Sequence, residues 1–340
     1  MTGPLLTVDH VSKRFASRPG IIVRGVDLLT GRDSTRTVHA VSDVSLAVQR
    51  GEVLGIVGES GCGKSTLGRI VSGIYAPTEG RVLLDGKPVA TGHDGAVRKL
   101  TTRVQMIHQD PFSSLNPRMK VGETISEGPL HHRLAPAREV RAEVAALLEK
   151  VGLQGTYADR LPHQFSGGQR QRIAIARALA MKPELLVLDE AVASLDVSIQ
   201  AQILNLFMDL RSEFGLTALF ISHDLSVVRH VCDRVAIMYL GRMVELSPAR
   251  QLYDNPQHPY TRALFASVPR LGAGKGNFHP IQGEIPSPMN PPGGCAFHPR
   301  CPLAGPRCRV EVPRLATTGP ARSVACHLHD GGTGAASEAA

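Results

Sequence analysis

The chain has 340 residues, of which 42% are hydrophobic and 20% are charged, and this balance supports a folded core and excludes a disordered chain. No stretch reaches the roughly 18 uninterrupted apolar residues of a membrane-spanning helix, and the N-terminus carries no continuous apolar signal region. The net charge of +8 identifies no partner, because such an excess is usually a solvated surface. We therefore expect a folded protein that is neither exported nor membrane-spanning, with one large domain or two unequal ones.

Residues 1 to about 250 alternate short apolar runs with amphipathic stretches, a pattern typical of parallel strands joined by crossover helices. Helices are predicted at 138–151 and 198–214, where apolar side chains recur on one face. Near the N-terminus, Val8, Phe15 and the run 38–48 predict antiparallel strands separated by a polar insertion. Three buried strands are predicted at apolar runs bounded by polar residues or glycine: Val53–Val57, 185–188 and Thr217–Ile221.

The composition changes after residue 250. Prolines are frequent from 256 to 320, and the run 286–294 excludes long helices and strands. Without long helices and strands, the folded conformation of this segment must be stabilised by interactions other than a large hydrophobic core. The small-residue tail is predicted to be disordered. We therefore expect three parts: a domain at 1–250, an extension at 251–328 and a disordered tail at 329–340.

A glycine-rich loop follows the first predicted buried strand. Residues 58–66 read GESGCGKST, which is the phosphate-loop pattern in its strand–loop–helix context. Such a loop points backbone N–H groups at phosphate oxygens, and the helix adds the positive end of its dipole. Lys64 is expected to reach the β- and γ-phosphates, and Ser65 to bind Mg²⁺. The predicted phosphate-binding residues are Gly58, Glu59, Ser60, Gly61, Cys62, Gly63, Lys64, Ser65 and Thr66.

Two carboxylates end the predicted strand at 185–188. A nucleoside triphosphatase needs, besides a phosphate loop, a carboxylate at the end of a buried strand that holds Mg²⁺ through water, and Asp189 is expected to have this role. Glu190 is expected to act as general base and to polarise the water that attacks the phosphate. The alternative is that the two acids merely cap the strand. We favour the functional interpretation, because a buried strand that ends in paired carboxylates needs a cation nearby. Within the loop, Cys62 is interpreted as a small side chain that fits a tight turn, with a redox-sensitive thiol as the alternative.

A second anion-binding helix terminus is predicted where a serine N-cap and two glycines open a helix, at 166–169. Here the sequence resembles the nucleotide-binding subunits of ATP-binding cassette (ABC) transporters, whose signature motif is SGGQ. The resemblance implies an α/β P-loop NTPase of the ABC type, with a mostly parallel sheet core, an N-terminal antiparallel β subdomain and a helical subdomain at about 110–180. It also implies a head-to-tail dimer in which the signature of one subunit contacts the ATP of the other through Ser166, Gly167, Gly168 and Gln169.

The resemblance assigns four more positions. Gln109 matches the glutamine that touches Mg²⁺ and the attacking water, and His223 matches the switch histidine that contacts the γ-phosphate. Phe15 is predicted to stack on adenine, with a core aromatic as the alternative. Asp196 lies in the dimer-facing loop, whose usual Ser-Ala-Leu-Asp reads Ala-Ser-Leu-Asp at 193–196. The implied catalytic residues are Glu190, His223 and Gln109, and the implied Mg²⁺ ligands are Ser65, Gln109 and Asp189.

Three stretches, at 109–118, 195–202 and 258–264, resemble the ATP-binding subunits of bacterial oligopeptide and dipeptide importers. This implies ATP hydrolysis that drives peptide import, on the cytoplasmic face of the inner membrane. The implied partners are a second, non-identical ATP-binding subunit, two transmembrane permease subunits and an extracytoplasmic peptide-binding protein. Another solute, such as a nickel chelate, is an open alternative. A nucleic-acid ATPase is disfavoured, because each motif occurs once and no coiled coil separates the loop from the signature.

Four of the six cysteines fall in the proline-rich segment, with the spacing C-x5-C-x6-C-x17-C. Four thiolates can hold Zn²⁺ or an iron–sulfur cluster, and either would stabilise irregular backbone. The wide spacing favours a cluster, and the family resemblance implies [4Fe–4S]; Zn²⁺ and unmetallated thiols are the alternatives. Cys232 is interpreted as core packing. The candidate cluster ligands are Cys295, Cys301, Cys308 and Cys326.

Overall fold

The computed structural model describes residues 3–17, 36–92, 96–110, 114–267 and 281–329. Near the N-terminus, two long strands, β1 (Leu6–Ser17) and β2 (Arg36–Val48), pair in antiparallel orientation. Burial of Val44, Leu46 and Val48 gives β2 one core-facing side. A four-stranded antiparallel sheet is completed by β4 (Glu79–Leu84) and β5 (Lys87–Pro88). The predicted antiparallel pair is thus confirmed, whereas most of the polar insertion lies outside the described residues.

Within the described residues, a second sheet has eight strands. Their order is β13 (Ala316–Gly319), β14 (Arg322–Val324), β12 (Arg242–Pro248), β11 (Arg234–Tyr239), β3 (Val53–Val57), β10 (Thr217–Ile221), β9 (Leu185–Asp189) and β8 (Val104–Ile107). The five parallel strands of this sheet are short apolar runs that are almost entirely buried, as expected for a sheet covered on both faces. They are β3, β8, β9, β10 and β11. The three predicted buried strands are confirmed, and Asp189 forms the last residue of β9.

Helices cover the parallel strands. α1 (Lys64–Val71) follows the glycine-rich loop, and α5 (Val197–Phe214) and α6 (Leu225–Val231) follow β9 and β10. Both helices predicted from periodicity are present to within a residue of their expected bounds. A group of three packed helices occupies the interval where a helical subdomain was expected: α2 (Val121–His131), α3 (Ala137–Lys150) and α4 (Gly167–Ala180). None of the described helices is both long enough and apolar enough to cross a membrane.

The C-terminal segment consists of short elements joined by irregular backbone. It adds β14 (Arg322–Val324) and β13 (Ala316–Gly319) to the sheet edge formed by β12 (Arg242–Pro248). Its short helices are α7 (Ala249–Asp254), α8 (Pro259–Ala266) and α9 (Pro306–Val310). The irregularity follows from the prolines, which cannot donate backbone hydrogen bonds. The remaining short hairpin, β6 (Ala90–Thr91) with β7 (Arg98–Lys99), precedes β8.

One ion pair attaches this segment to the sheet. Arg322 of β14 lies 2.8 Å from the carboxylate of Glu245 on β12, and both side chains are buried. The carboxylate also accepts the backbone N–H groups of Gln257 and His258. A buried charge requires such partners, so the pair fixes where the segment joins the sheet. Apart from His329, the tail predicted to be disordered lies outside the described residues.

Candidate active site

The glycine-rich loop connects β3 to α1 and lies against neighbouring backbone. A Cβ atom on Gly58 would come within 2.1 Å of the carbonyl oxygen of Met238. Gly63 has a φ of +105°, and its Cβ would meet the carbonyl oxygen of Ala40 at the same distance. Neither position accepts a side chain, so the loop requires glycine there. The backbone of the loop is therefore held close to β2 and to the end of β11. Its N–H groups come directly before the first turn of α1.

Lys64, the first residue of α1, is buried. Its Nζ atom donates hydrogen bonds to the carbonyl oxygens of Gly58 at 2.8 Å and Glu59 at 3.0 Å, which holds the ammonium inside the loop. Phosphate oxygens form stronger, charge-assisted hydrogen bonds with an ammonium than neutral carbonyl oxygens do. Lys64 is therefore placed to exchange these carbonyl contacts for a bound phosphate.

Ser65 and Asp189 meet beside the loop. The Ser65 hydroxyl donates to the Asp189 carboxylate at 2.7 Å. Burial raises the pKa of Asp189 above its usual value, against the hydrogen bond from Ser65 and the charge of Arg69. A buried carboxylate next to a hydroxyl is the oxygen donor set that Mg²⁺ prefers. These two side chains therefore fit Mg²⁺.

Glu190 follows β9 and receives side chains from both neighbouring strands. Its Oε2 atom accepts a hydrogen bond from Gln109 Nε2 at 3.0 Å and lies 3.4 Å from His223 Nδ1. Gln109 follows β8 and His223 follows β10, the strands on either side of β9, so the carboxyl ends of three parallel strands bring these residues together. Glu190 also has a φ of +50°, a strained conformation that is concentrated at functional sites.

The signature begins α4 as predicted, with Ser166 as N-cap. The Ser166 side chain accepts from the backbone N–H of Gln169, and the Gln169 side chain accepts from the backbone N–H of Ser166. A Cβ atom on Gly168 would lie 2.5 Å from Ile199, so glycine allows α4 to pack closely on α5. Ser166 itself is exposed. The expected contact with the ATP of another subunit stays a prediction.

Phe15 and Asp196, the other two positions implied by the family resemblance, also stay predictions. Phe15 is half-buried on β1, with its ring edge-on to Tyr75 at 5.6 Å and the Lys13 ammonium 5.0 Å from the ring centre. Asp196 is exposed at the N-terminus of α5. In the same loop, the Ser194 hydroxyl donates a long, 3.5 Å hydrogen bond to the carbonyl oxygen of Gln109. The displaced hydroxyl of this loop therefore contacts the backbone of a candidate catalytic residue.

The two cysteines of the ATP-binding part are buried. Burial raises the pKa of the Cys62 thiol, opposed by the charge of Lys64, and it raises the pKa of Cys232 as well. A thiol with a raised pKa contains little reactive thiolate. Cys62 is therefore better described as a small loop side chain than as a redox sensor, and Cys232 packs in the core as predicted.

The four C-terminal cysteines line one small cavity together with His258, His298 and His327. Burial raises the pKa of Cys295 and Cys301, and it raises the pKa of Cys326 to about 11. Among the residues that the structure describes, no three or more His, Cys, Asp or Glu side chains are grouped so that they could hold a metal ion. The donor chemistry thus suits a metal or cluster, whereas the arrangement of the thiols in this structure is not that of a ligand set.

Sequence reasoning missed how the loop residue Glu59 is held. Its carboxylate accepts two hydrogen bonds from Arg300, at 2.8 and 3.2 Å, and its backbone N–H donates to the hydroxyl of Tyr260 at 3.0 Å. Both partners belong to the C-terminal segment, more than 200 positions away in sequence. Neither motif spacing nor hydrophobic periodicity carries a signal for such a contact.

Three groups lie together at the carboxyl ends of the parallel strands. They are the lysine of the phosphate loop, the Asp189 carboxylate with the Ser65 hydroxyl, and the candidate general base Glu190. Together with the antiparallel N-terminal sheet and the group of helices before β9, this arrangement defines an ATPase of the ABC class.

Comparisons with known proteins agree with this class. A family model described as "ABC transporter" matches residues 41–193, and one described as "Oligopeptide/dipeptide transporter, C-terminal region" matches residues 244–308. The oligopeptide transport ATP-binding protein AppF of Bacillus subtilis is 50% identical over 96% of this chain and 97% of its own length. The di/tripeptide transport ATP-binding protein DppF of Pseudomonas aeruginosa is 48% identical over 88% of this chain and 97% of its own length.

Among solved structures, cbiO1 of Clostridium perfringens, part of the ABC transporter complex cbiONQ, aligns with a TM-score of 0.59 and 28% identity. The alignment covers 74% of this chain and 92% of that one. The chain belongs to the family of ABC-transporter ATP-binding subunits. It is an ATPase that binds ATP and Mg²⁺.

Proposed function

We propose that this chain powers the import of dipeptides and oligopeptides as an ATP-binding subunit of a membrane transporter. The observation that carries the ATPase part is the convergence of Gln109 and His223 on the carboxylate of Glu190. The peptide cargo is supported by AppF and DppF, whose names specify oligopeptide and di/tripeptide transport. Their similarity covers 96% and 88% of this chain, and the oligopeptide/dipeptide transporter family model matches 244–308 in the C-terminal segment.

Each candidate residue has a defined task in this proposal. Lys64 and the backbone N–H groups of the loop bind the phosphates. Glu190 accepts the proton of the attacking water as general base. Gln109 and His223 orient the Glu190 carboxylate, and His223 also contacts the terminal phosphate. Phe15 stacks on the adenine, while Asp196 and the signature act across the interface between two ATP-binding subunits.

The candidate Mg²⁺ ligands are Ser65, Asp189 and Gln109. The hydrogen bond between Ser65 and Asp189 supports the first two. The Gln109 amide donates to Glu190, the residue that follows Asp189, and this contact supports the third ligand. When bound, Mg²⁺ neutralises charge on the phosphates.

The proposed partners are a second, non-identical ATP-binding subunit, two permease subunits and an extracytoplasmic peptide-binding protein. A cavity of about 500 Å³ beside the strand that leads to Gln109 supports a docking site for a permease. It is formed by β8, α2 and α4 and includes Gln105, Thr124 and Arg177. This arrangement would place the chain on the cytoplasmic face of the membrane.

We further propose that the chain divides near residue 250, with the extension at 251–328 containing a [4Fe–4S] cluster bound by Cys295, Cys301, Cys308 and Cys326. The common cavity of the four thiols and the shortage of regular structure around it support this proposal. Binding requires deprotonation of the thiols.

Iron and sulfide in equal amounts are expected in anaerobically purified protein. Zinc without sulfide would favour the Zn²⁺ alternative, and absence of all three would refute a metal site.

Purification from membranes through a tag on this chain tests the transport function. We expect two permease subunits and a second ATP-binding chain to co-purify, and ATP hydrolysis by the reconstituted complex to increase with peptide-loaded binding protein. A complex that responds to another solute would replace the peptide assignment. Recovery of two copies of this chain and no second ATP-binding subunit would refute the heterodimer.

A further inference from the structure

We infer that Arg300, in the cysteine-rich extension, is a positioning residue for ATP binding: it holds the phosphate loop in shape through Glu59 and neutralises that carboxylate beside the phosphate site. The inference rests on the proposed role of the loop in binding ATP. It assigns a task to a residue outside every nucleotide-binding motif.

Glu59 occupies the position after the first glycine of the loop, and three of its groups are engaged. The carboxylate accepts from Arg300, the backbone N–H donates to Tyr260, and the backbone carbonyl accepts from Lys64. The first two partners belong to the C-terminal segment, and the third is the phosphate-binding lysine. The backbone of Glu59 is therefore fixed directly between the C-terminal segment and the ammonium that is expected to meet the phosphates.

The guanidinium of Arg300 is rigidly placed. Its side chain is only 4% exposed, against 20% for Glu59, and its Nε atom donates to the carbonyl oxygen of Gln282 at 3.2 Å. A planar guanidinium with two parallel hydrogen bonds fixes both the distance and the orientation of a carboxylate. Since Gln282 belongs to the irregular C-terminal backbone, Arg300 joins that backbone to the phosphate loop.

Aromatic packing supports the same contact. The rings of Tyr239, Tyr260 and Phe297 lie 4.7 to 5.3 Å apart, and all three residues are almost fully buried. Tyr239 ends β11, next to the loop, and the other two rings come from the extension. Arg300 reaches this cluster directly: its guanidinium donates a long, 3.5 Å hydrogen bond to the Tyr239 hydroxyl and lies 5.9 Å from the centre of that ring. The packed cluster therefore helps to position Arg300.

Charge gives the contact a second effect. Without Arg300, the Glu59 carboxylate would be largely buried and unpaired next to a loop that binds a polyanion. Unpaired buried charges are strongly unfavourable, and a negative charge there repels phosphate. Removing the arginine alone should therefore impair ATP binding more than removing both members of the pair. A contact that only stabilises the fold would show this order in melting temperature and not in ATP affinity.

The test is ATP affinity, measured with a fluorescent ATP analogue, and steady-state ATP hydrolysis of the full chain in its complex. We expect Arg300→Met to weaken ATP binding at least about tenfold, the loss that corresponds to one charged hydrogen-bonded pair. The KM for ATP should rise with little change in kcat, because the loop contacts ATP before and during the reaction. Arg300→Lys should lose affinity to a smaller extent, since an ammonium cannot make the paired contact.

The double variant Glu59→Gln/Arg300→Met is expected to recover part of the affinity lost in Arg300→Met. The matched control is Arg307→Met, which removes an exposed Arg–Glu pair of similar geometry, Arg307 with Glu311, from the same segment. It should leave the affinity for ATP unchanged. The melting temperature of each variant separates loss of folding from loss of binding.

Unchanged ATP affinity in folded Arg300→Met, or a double variant as weak as the single one, would overturn the inference. If Arg300→Met does not fold, Arg300→Lys decides, and wild-type affinity in that variant would overturn the inference. Lys64→Ala separates this result from a failure of the ATP-site assignment. If Lys64→Ala also binds ATP normally, the loop assignment itself is wrong.

Discussion

The phosphate-loop region and the cysteine-rich extension are built in different ways. The loop lies between a buried strand and a helix, and glycine is required where Gly58 and Gly63 approach neighbouring backbone. The extension has short elements and depends on individual polar contacts, such as those of Arg322 with Glu245 and Arg300 with Glu59. Regular structure thus places the chemical groups of the active site, whereas individual, largely buried ion pairs attach the C-terminal segment to the sheet and to the phosphate loop.

The largest expected effect lies in the active site. Glu190→Gln keeps the shape of the side chain but removes the proton acceptor, so we expect kcat for ATP hydrolysis to fall at least about a hundredfold. ATP binding should be retained, because Lys64 and the loop are untouched. The assay is phosphate release alongside nucleotide binding, with the exposed Glu311→Gln as control. Full hydrolysis in Glu190→Gln would exclude this residue as the base.

A stability measurement tests how the extension is attached. Arg322→Met leaves the buried Glu245 carboxylate without its ionic partner, and breaking such a pair costs about 3–5 kcal/mol of unfolding free energy. Denaturant unfolding of the variant measures this loss. Arg307→Met, at an exposed pair in the same segment, should change the unfolding free energy by less than about 1 kcal/mol. If the two variants lose equal unfolding free energy, the buried Arg322–Glu245 pair stabilises the fold no more than the exposed Arg307–Glu311 pair.

The predicted adenine contact is expected to give a smaller effect. Stacking of a base on an aromatic ring contributes about 1–3 kcal/mol, so Phe15→Ala should raise the KM for ATP about fivefold or more. Phe15→Tyr retains a ring and should stay close to wild type. If Phe15 is instead a core aromatic packed on Tyr75, the alanine variant will lose thermal stability while its KM stays unchanged.

A separate prediction, which does not involve catalysis, concerns the reactivity of the two buried thiols. Because burial raises their pKa values, Cys62 and Cys232 should react with iodoacetamide at pH 8 at least about tenfold more slowly than in the urea-unfolded chain. Mass spectrometry of the labelled peptides measures the rates. Rapid labelling of Cys62 in the native protein would restore the redox-sensor interpretation.

The same contrast explains what the sequence could predict. The strands around Val53–Val57 and Thr217–Ile221 were predictable because burial on both faces requires a continuous apolar run. The roles of Gln109 and His223 were predictable from the family resemblance. Their convergence on Glu190 follows from the order of the neighbouring parallel strands, which the structure supplies. Arg300 was not predictable, because its partner is distant in sequence and irregular backbone imposes no period.

The cysteines show a further limit of sequence reasoning. Their spacing predicts that the four thiols are used together, and the structure does place them around one cavity. Spacing cannot determine the distances between thiols in the folded segment, and these distances depend on the turns that the prolines impose. The proposed [4Fe–4S] cluster must therefore be tested by direct analysis of iron and sulfide.

The most direct test of the whole account is ATP hydrolysis by the assembled complex in vesicles, with and without peptide-loaded binding protein. We expect peptide to increase phosphate release by the wild-type complex. We expect the Glu190→Gln complex to bind ATP, to release almost no phosphate and not to respond to peptide. Hydrolysis that ignores peptide in the wild type, or that persists in Glu190→Gln, would contradict the account.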